Sequence, residues 1–306
     1  MIISASRRTD IPSYYGKWFV NRLLAGYVLV QNPYNALRVS KLRLSPDITD
    51  CIVFWTKNPA PMLNDLNIVT DLGYNYYFQY TLTPYGKVCE SNLPSLEKRL
   101  DSFFRLSEKA GKHRLVWRYD PIILDKTYSV QYHIEQFDSL CEKIKNVDEC
   151  IFSFVDSYSH IRNIVQDIRI EQMQAIGKAF SEIAKKHRLK LATCSEKLDL
   201  QQFGIKRASC IDKNRIERII GCSLNSNKDK GQRHECGCIE SVDVGAYGTC
   251  LNGCKYCYAT KNRLTAHNNF NRHDPASPML MGWPKDNMIV SERKACTSKV
   301  SQVSIS

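Results

Sequence analysis

The chain has 306 residues, 43% of them apolar and 24% charged, with a formal net charge of +12. That apolar share excludes a disordered chain, and the length suits one barrel-sized α/β domain with an appendage as well as it suits two smaller domains. The positive balance favours anionic partners such as nucleotides or nucleic acid without specifying one.

The opening residues, Met1 to Arg8, lack the basic-then-apolar order of a secretory signal, and no apolar run approaches the ~18 residues of a membrane span. A cytoplasmic protein with no membrane association is therefore expected. Strands are predicted at Ile2 to Ala5, Cys51 to Trp55, Tyr76 to Leu82, Arg114 to Trp117, Cys150 to Val155 and Leu189 to Thr193. Between them lie segments of helical period: Trp18 to Leu24, Leu96 to Phe104, Ile134 to Ile144, and a longer one from about Ile161 to Lys186. Repeated strand-then-helix order predicts a parallel sheet, and about six such units plus one later strand fit a full or partial (β/α) barrel.

Each predicted strand stops at a polar cluster: Ser6 to Asp10, Thr56 to Pro59, Gln79 to Thr81, Arg118 to Pro121, Asp156-Ser157 and Cys194 to Glu196. C-terminal strand ends converge on one face in parallel α/β folds, and active sites are built there. Polar loops after strands are common, but the repeated choice of Arg, Lys and Asp points to a polar cavity. Its candidate catalytic or anion-binding groups are Arg7, Arg8, Asp10, Lys57, Arg118, Asp120 and Glu196, with Arg the better bidentate donor. The basic groups could equally pair with Asp10, Asp120 or Glu196 as structural ion pairs. Trp55, Tyr80 and Tyr119 could stack on a ligand ring or lie in the core.

From Lys197 the texture changes. A short helix near Lys213 to Ile220 leads into the charged run Asn225 to Arg233, which sets a boundary between a barrel-like unit, 1–224, and a cysteine-rich segment, 225–284, that completes the same domain. Residues 285–306 have little periodicity and are expected to form an extended wrap and a frayed tail.

Thirteen cysteines in 306 residues, about 4%, are too few for a disulfide-framed miniprotein, and a chain this long needs no such staples. Cys236, Cys238, Cys250, Cys254 and Cys257 fall within 22 residues, whereas the first 140 hold only Cys51 and Cys89. In a reducing compartment such a cluster reads as metal ligands. Cys250-Leu251-Asn252-Gly253-Cys254-Lys255-Tyr256-Cys257 is a C-x3-C-x2-C run preceded by the β-type stretch Val242 to Tyr247. Three thiolates on one loop can hold three irons of a [4Fe–4S] cluster and leave the fourth open for a ligand. A zinc site of Cys254 and Cys257 with Cys236 and Cys238 is the competing arrangement. Cys194, Cys210, Cys236 and Cys238 together could hold an auxiliary iron–sulfur cluster, or be buried free thiols.

Cys250, Cys254 and Cys257, with Tyr256 before the last, resemble the radical S-adenosylmethionine (SAM) motif, and the ending through Tyr258 is similar to that of spore photoproduct lyases. The whole chain resembles an uncharacterised bacterial family with such cysteines near its C-terminal end, marked by Ser6-Arg7-Arg8-Thr9-Asp10 and Cys236-Gly237-Cys238. The resemblance implies that SAM chelates the open iron, that an electron cleaves it to a 5′-deoxyadenosyl radical, and that this radical abstracts hydrogen from a substrate. It implies Tyr256 near the SAM adenine and an external electron donor such as flavodoxin or ferredoxin. Radical SAM motifs usually follow the first barrel strand; here they follow nearly all of the β/α units, so a permuted arrangement is implied, with Val242 to Tyr247 as the first strand.

Scattered charge, with only Lys185 to Arg188 and Lys228 to Arg233 as short runs, reads as solvated surface and favours a small-molecule substrate, a nucleoside or modified base, over a polymer. A nucleic-acid repair or modification enzyme of photoproduct-lyase type is the second reading, and a zinc-binding or iron–sulfur sensor without turnover is the third.

Overall fold

The structure, a computed structural model, describes residues 1–145, 147–162 and 165–300. Its strands in chain order are β1 (Ile2–Ala5), β2 (Tyr27–Asn32), β3 (Asn35–Arg43), β4 (Cys51–Thr56), β5 (Tyr76–Thr81), β6 (Leu115–Ile122), β7 (Glu149–Phe154), β8 (Lys190–Cys194), β9 (Lys206–Ala208), β10 (Val242–Asp243) and β11 (Ile289–Arg293). Eight of these form one sheet in the order β10-β1-β4-β5-β6-β7-β8-β9, and every pairing in it is parallel. The six expected strands are all present. Of the two expected forms, the full barrel is corrected: β10 and β9 occupy opposite edges and do not pair, so the sheet is open. At two and three residues these edge strands carry too few ladder bonds to close it.

Helices follow most strands: α1 (Ile11–Tyr14), α2 (Gly16–Ala25), α3 (Leu66–Asp71), α4 (Leu96–Ala110), α5 (Val130–Lys143), α6 (Ile170–Lys186), α7 (Lys213–Ile220) and α8 (Arg263–Phe270). Side-chain caps start several of them, with Ser95, Ser129 and Asp212 each accepting the amide three residues on. The helix expected from Ile161 begins only at Ile170; residues 163 and 164 of that expectation lie outside the described residues. Ile161 and Val165, whose spacing suggested a helix, are instead buried against Tyr85, Tyr128 and Tyr256.

Side-chain alternation splits the sheet into two cores. Ile3, Ile52, Phe54, Phe78, Trp117 and Phe152 face the helices, where Trp117 stacks on Phe137 at 5.3 Å. Ile2, Cys51, Val53, Tyr77, Val116 and Ile151 face the other way and are covered by Ile211, Ile216, Leu224 and Ile239, from the segment carrying α7.

A second sheet, β11-β3-β2, was not expected from the sequence. The β2–β3 hairpin is antiparallel, and β11 joins β3 in parallel from the segment expected to be a wrap. Beyond it, buried Asp50 accepts from the Ser298 amide at 2.8 Å and from the Thr297 hydroxyl, and pairs with the Met1 ammonium. Residues 301–306 of the expected tail lie outside the described residues. Among the described residues no helix is long and apolar enough to cross a membrane.

Candidate functional site

The two-residue period of a strand decides which side chains can meet a ligand. On the face opposite the helices, the positions beyond the apolar residues are Ser6 on β1's line, Trp55 and Lys57 on β4's, Thr81 on β5's, Arg118 and Asp120 on β6's, Ser153 on β7's and Cys194 on β8's. All of them line one cavity of about 580 Å³ at the C-terminal strand ends, a size usual for small-molecule sites. Tyr80 and Tyr119 fall on the other parity. Both are fully buried on the helix side, where the Tyr80 hydroxyl donates to the Arg99 carbonyl at 2.8 Å and the Tyr119 hydroxyl meets His133 Nδ1 at 2.9 Å. Of the two alternatives for these rings, the core is the one the structure shows, whereas Trp55 borders the cavity with the Arg7 guanidinium 5.7 Å above its ring.

The polar candidates do unequal things. Asp10 is buried and caps α1, accepting from Ser13 N at 3.1 Å, from Lys57 N at 2.8 Å and from Asn252 Nδ2 at 3.0 Å. Burial pushes its carboxyl pKa up despite these donors. Its contact with Asn252 fastens the cysteine loop to β1 and β4. Lys57 pairs with Glu90, at 2.8 Å, and not with any expected partner. Arg118 pairs with Asp120 through its Nε at 2.9 Å and donates to Cys210 Sγ at 3.1 Å. Arg7 reaches Asp229 at 3.7 Å, and its amide donates to Asp243 at 2.9 Å. Arg8 alone of the predicted cations has no carboxylate partner among the described residues; it donates to the Gly245 carbonyl at 3.4 Å and lies 5.1 Å over the exposed Tyr247 ring. Glu196 accepts from Phe154 N at 2.8 Å, and burial pushes its pKa up to about 7.

The loop Cys250 to Cys257 crosses the same cavity, with all three cysteines on its wall. It follows β10, which lies beside β1 in register Ile3↔Val242. Cys254 bridges to Glu90 in the backbone, Lys255 N donates to the Cys89 carbonyl at 2.9 Å, and the Asn92 side chain donates to the Leu251 carbonyl at 2.6 Å. Gly253 adopts φ +68°, and a Cβ there would stand 2.3 Å from Ser91 Oγ, so this turn requires glycine. The thiol of Cys250 is pushed up to about 12 by burial, with Asp10 and Cys257 adding to the effect. Three soft donors on one short loop, with Cys257 Sγ accepting an amide bond from Thr260 N at 3.3 Å, are a donor set that fits an iron–sulfur cluster. Tyr256 is buried, its hydroxyl bonded to Glu90 and its ring 5.4 Å from Lys57 Nζ.

Cys194, Cys210 and the Cys236-Gly237-Cys238 pair, from three separate stretches of chain, also line this cavity. The sulfurs of Cys194 and Cys210 lie 2.9 Å apart, and Cys238 makes thiol contacts with both Cys210 and Cys236. The sulfur contacts of Cys236 and Cys238 thus run to Cys210, not to Cys254 and Cys257. All thirteen cysteines are free.

Sequence reasoning missed Asp243 and Arg233, and placed Asp156 in a strand-end cluster without foreseeing its partner. Asp243 accepts from Ser4 and Ser6 hydroxyls at 2.6 and 2.5 Å and from the Gly245 amide at 3.0 Å, tying β10 to the polar end of β1. Arg233 belongs to the charged run read as solvated surface; it lines the cavity and pairs with Asp156 at 2.7 Å. The only signal for Asp243 was its place directly after Val242 in a β-type stretch.

A family model described as a domain of unknown function, DUF1848, matches residues 2–259, so the chain belongs to that family. No curated protein and no solved structure matches it.

Proposed function

We propose that this DUF1848 protein is a radical SAM enzyme acting on a nucleoside or modified base. The observation that carries the reading is the placement of Cys250, Cys254 and Cys257 on a loop that leaves β10, the strand beside β1 at the sheet edge, and borders the cavity made by the other strand ends. In this reading β10 takes the place of the first strand of a radical SAM partial barrel in a permuted order of the same units, and its parallel pairing with β1 supports that. When bound, a [4Fe–4S] cluster supplies the electron that cleaves SAM reductively to a radical able to take hydrogen from a substrate.

The chain's own residues account for binding and orientation. Cys250, Cys254 and Cys257 hold the cluster. Asp10 and Glu90 fix the two ends of their loop, Asp10 through Asn252 and Glu90 through its bridge to Cys254 and its bond to Tyr256. Arg8, with no carboxylate of its own, is the guanidinium available to a ligand carboxylate. Glu196, with a pKa of about 7, can hold or release a proton near neutrality, beside the fixed Asp120 and Arg118 pair. Rings lining the cavity favour a flat substrate: Tyr158 and Tyr258 lie 5.9 Å apart, and Trp55 carries the Arg7 guanidinium over its face.

Anaerobically isolated protein should be brown, carry iron and labile sulfide, and release 5′-deoxyadenosine from SAM with a strong reductant; Cys254→Ala should abolish that release. A colourless, zinc-loaded wild type that is fully active would end the proposal. A small-molecule substrate predicts that nucleosides, not RNA or DNA, accelerate the release.

A further inference from the structure

We infer that Cys194, Cys210, Cys236 and Cys238 form a second metal centre, a tetrathiolate site for a single zinc ion. The inference rests on these four thiols alone and not on the SAM reading of the other loop.

Three stretches of chain deliver them. Cys194 ends β8, Cys210 follows β9, and Cys236 and Cys238 flank Gly237 on the segment that covers the same face of the sheet. Cys210, Cys236 and Cys238 are buried at 7%, 6% and 0% exposure. Gly237 is what lets the last stretch approach the second: a Cβ on it would sit 2.5 Å from Ser209 Oγ, next to Cys210. A Cys-Gly-Cys hairpin pressed onto a third cysteine, with a fourth at 2.9 Å, is a costly arrangement of polarisable thiols if nothing bridges them.

The surroundings suit anionic sulfur. Ile211 N donates to Cys238 Sγ at 3.3 Å, and Arg118 Nη1 donates to Cys210 Sγ at 3.1 Å. Arg7 lies within charge range of Cys238 and Cys210. Four thiolates around a divalent ion carry a net charge of about −2, and two guanidiniums face them; amide and guanidinium donors of this kind orient and stabilise metal thiolates. Binding displaces the thiol protons to solvent.

Spacing selects the metal. A zinc–thiolate bond of about 2.3 Å in tetrahedral geometry places ligand sulfurs roughly 3.8 Å apart, whereas a cubane separates its thiolates by the width of its iron atoms. Here the sulfurs touch one another, in the chain Cys194 to Cys210 to Cys238 to Cys236. By contrast Cys250, Cys254 and Cys257 influence one another through charge without sulfur-to-sulfur hydrogen bonds among the described residues. No three His, Cys, Asp or Glu side chains among the described residues are already gathered around one point. The four thiols adjoin one another as a chain, which a bound ion would draw into a tetrahedron.

The test uses the full chain, isolated anaerobically, and its zinc content. About one zinc per chain is expected, unchanged in the triple variant Cys250→Ala, Cys254→Ala, Cys257→Ala and lost in Cys238→Ser. Cobalt exchanged into the triple variant should give the absorption bands of a tetrahedral cobalt thiolate. Should Cys238→Ser fail to fold, alkylation of the native wild type followed by mass spectrometry decides: zinc must shield Cys194, Cys210, Cys236 and Cys238. Equal alkylation of the four with and without zinc overturns the inference. So does iron near eight per chain that falls to about four in Cys238→Ser, the mark of a second cubane. Loss of SAM cleavage in the triple variant, with zinc retained, separates this site from the proposed function.

Discussion

Glu90 sits where the cysteine loop meets the sheet, and its neutralisation is the sharpest test of how that junction is held. It is 1% exposed, with Lys57 Nζ at 2.8 Å, Arg99 Nη1 at 3.4 Å and the Thr83 hydroxyl at 3.1 Å, and it also receives the Tyr256 hydroxyl. Burial by itself would raise its pKa; Lys57 and Arg99 outweigh that and hold it below the ordinary 4.5. Glu90→Gln keeps the shape but leaves two buried cations against a neutral amide that turns an NH2 toward donors. Removing one partner of a buried ion pair costs about 3–5 kcal/mol, and at roughly 2–3 °C per kcal/mol for a long chain the melting temperature should fall by about 6–15 °C. Thermal unfolding of the metal-free protein, followed by circular dichroism at neutral pH, measures it. Because the folded pKa is depressed, the carboxylate's contribution is complete above 4.5 and fades as pH falls through the lower folded value. The gap between wild type and variant should therefore shrink in acid. A shift below about 2 °C at pH 7 would refute the reasoning, since a network of this burial cannot lose its anion at so little cost.

Three further outcomes are expected. Gly253→Ala should fold but retain much less iron, because a left-handed backbone costs alanine about 1–2 kcal/mol and its Cβ meets Ser91 Oγ; adding Ser91→Gly should recover part of the iron. Glu196 has a folded pKa of about 7 against 4.5, so its contribution to stability is complete below 4.5 and is lost as pH rises through 7. Urea titrations of Glu196→Gln should lack that decline. Asp50→Ala removes a buried acceptor shared by Met1, Thr297 and Ser298 and should cost about 2–3 kcal/mol, with faster amide exchange confined first to residues 296–300.

The parallel strands were legible because runs buried on both faces, such as Cys51 to Trp55, stay apolar at every position. Tyr80 and Tyr119 could have been assigned from the same alternation: their parity with Phe78 and Trp117 commits them to the helix side. The β2–β3 hairpin was not legible, since β3 exposes Asn35 to Arg38 and buries little but Val39 and Leu42. The cysteine loop announced itself through short-range spacing, which a single turn of backbone enforces. Convergence of Cys194 and Cys210 with Cys236 and Cys238 had no such local signal, because it depends on α7 and its flanks folding across the sheet. Asp10, a candidate active-site acid from its place after a strand, also caps a helix and anchors the loop while lining the cavity; position after a strand does not reveal those structural roles.

β1 and β10 are neighbours in the sheet but lie some 240 residues apart along the chain. Synthesis at roughly 5–20 residues per second separates their emergence from the ribosome by about 12–50 seconds. During that interval β1 and β4 to β9 can already pair, leaving the β1 edge and the floor of the cavity exposed. The loop bearing Cys250, Cys254 and Cys257 then docks onto a sheet already formed, as a closing piece ahead only of β11 and the residues after it, and any delivery of metal to it belongs to the late part of the protein's biogenesis.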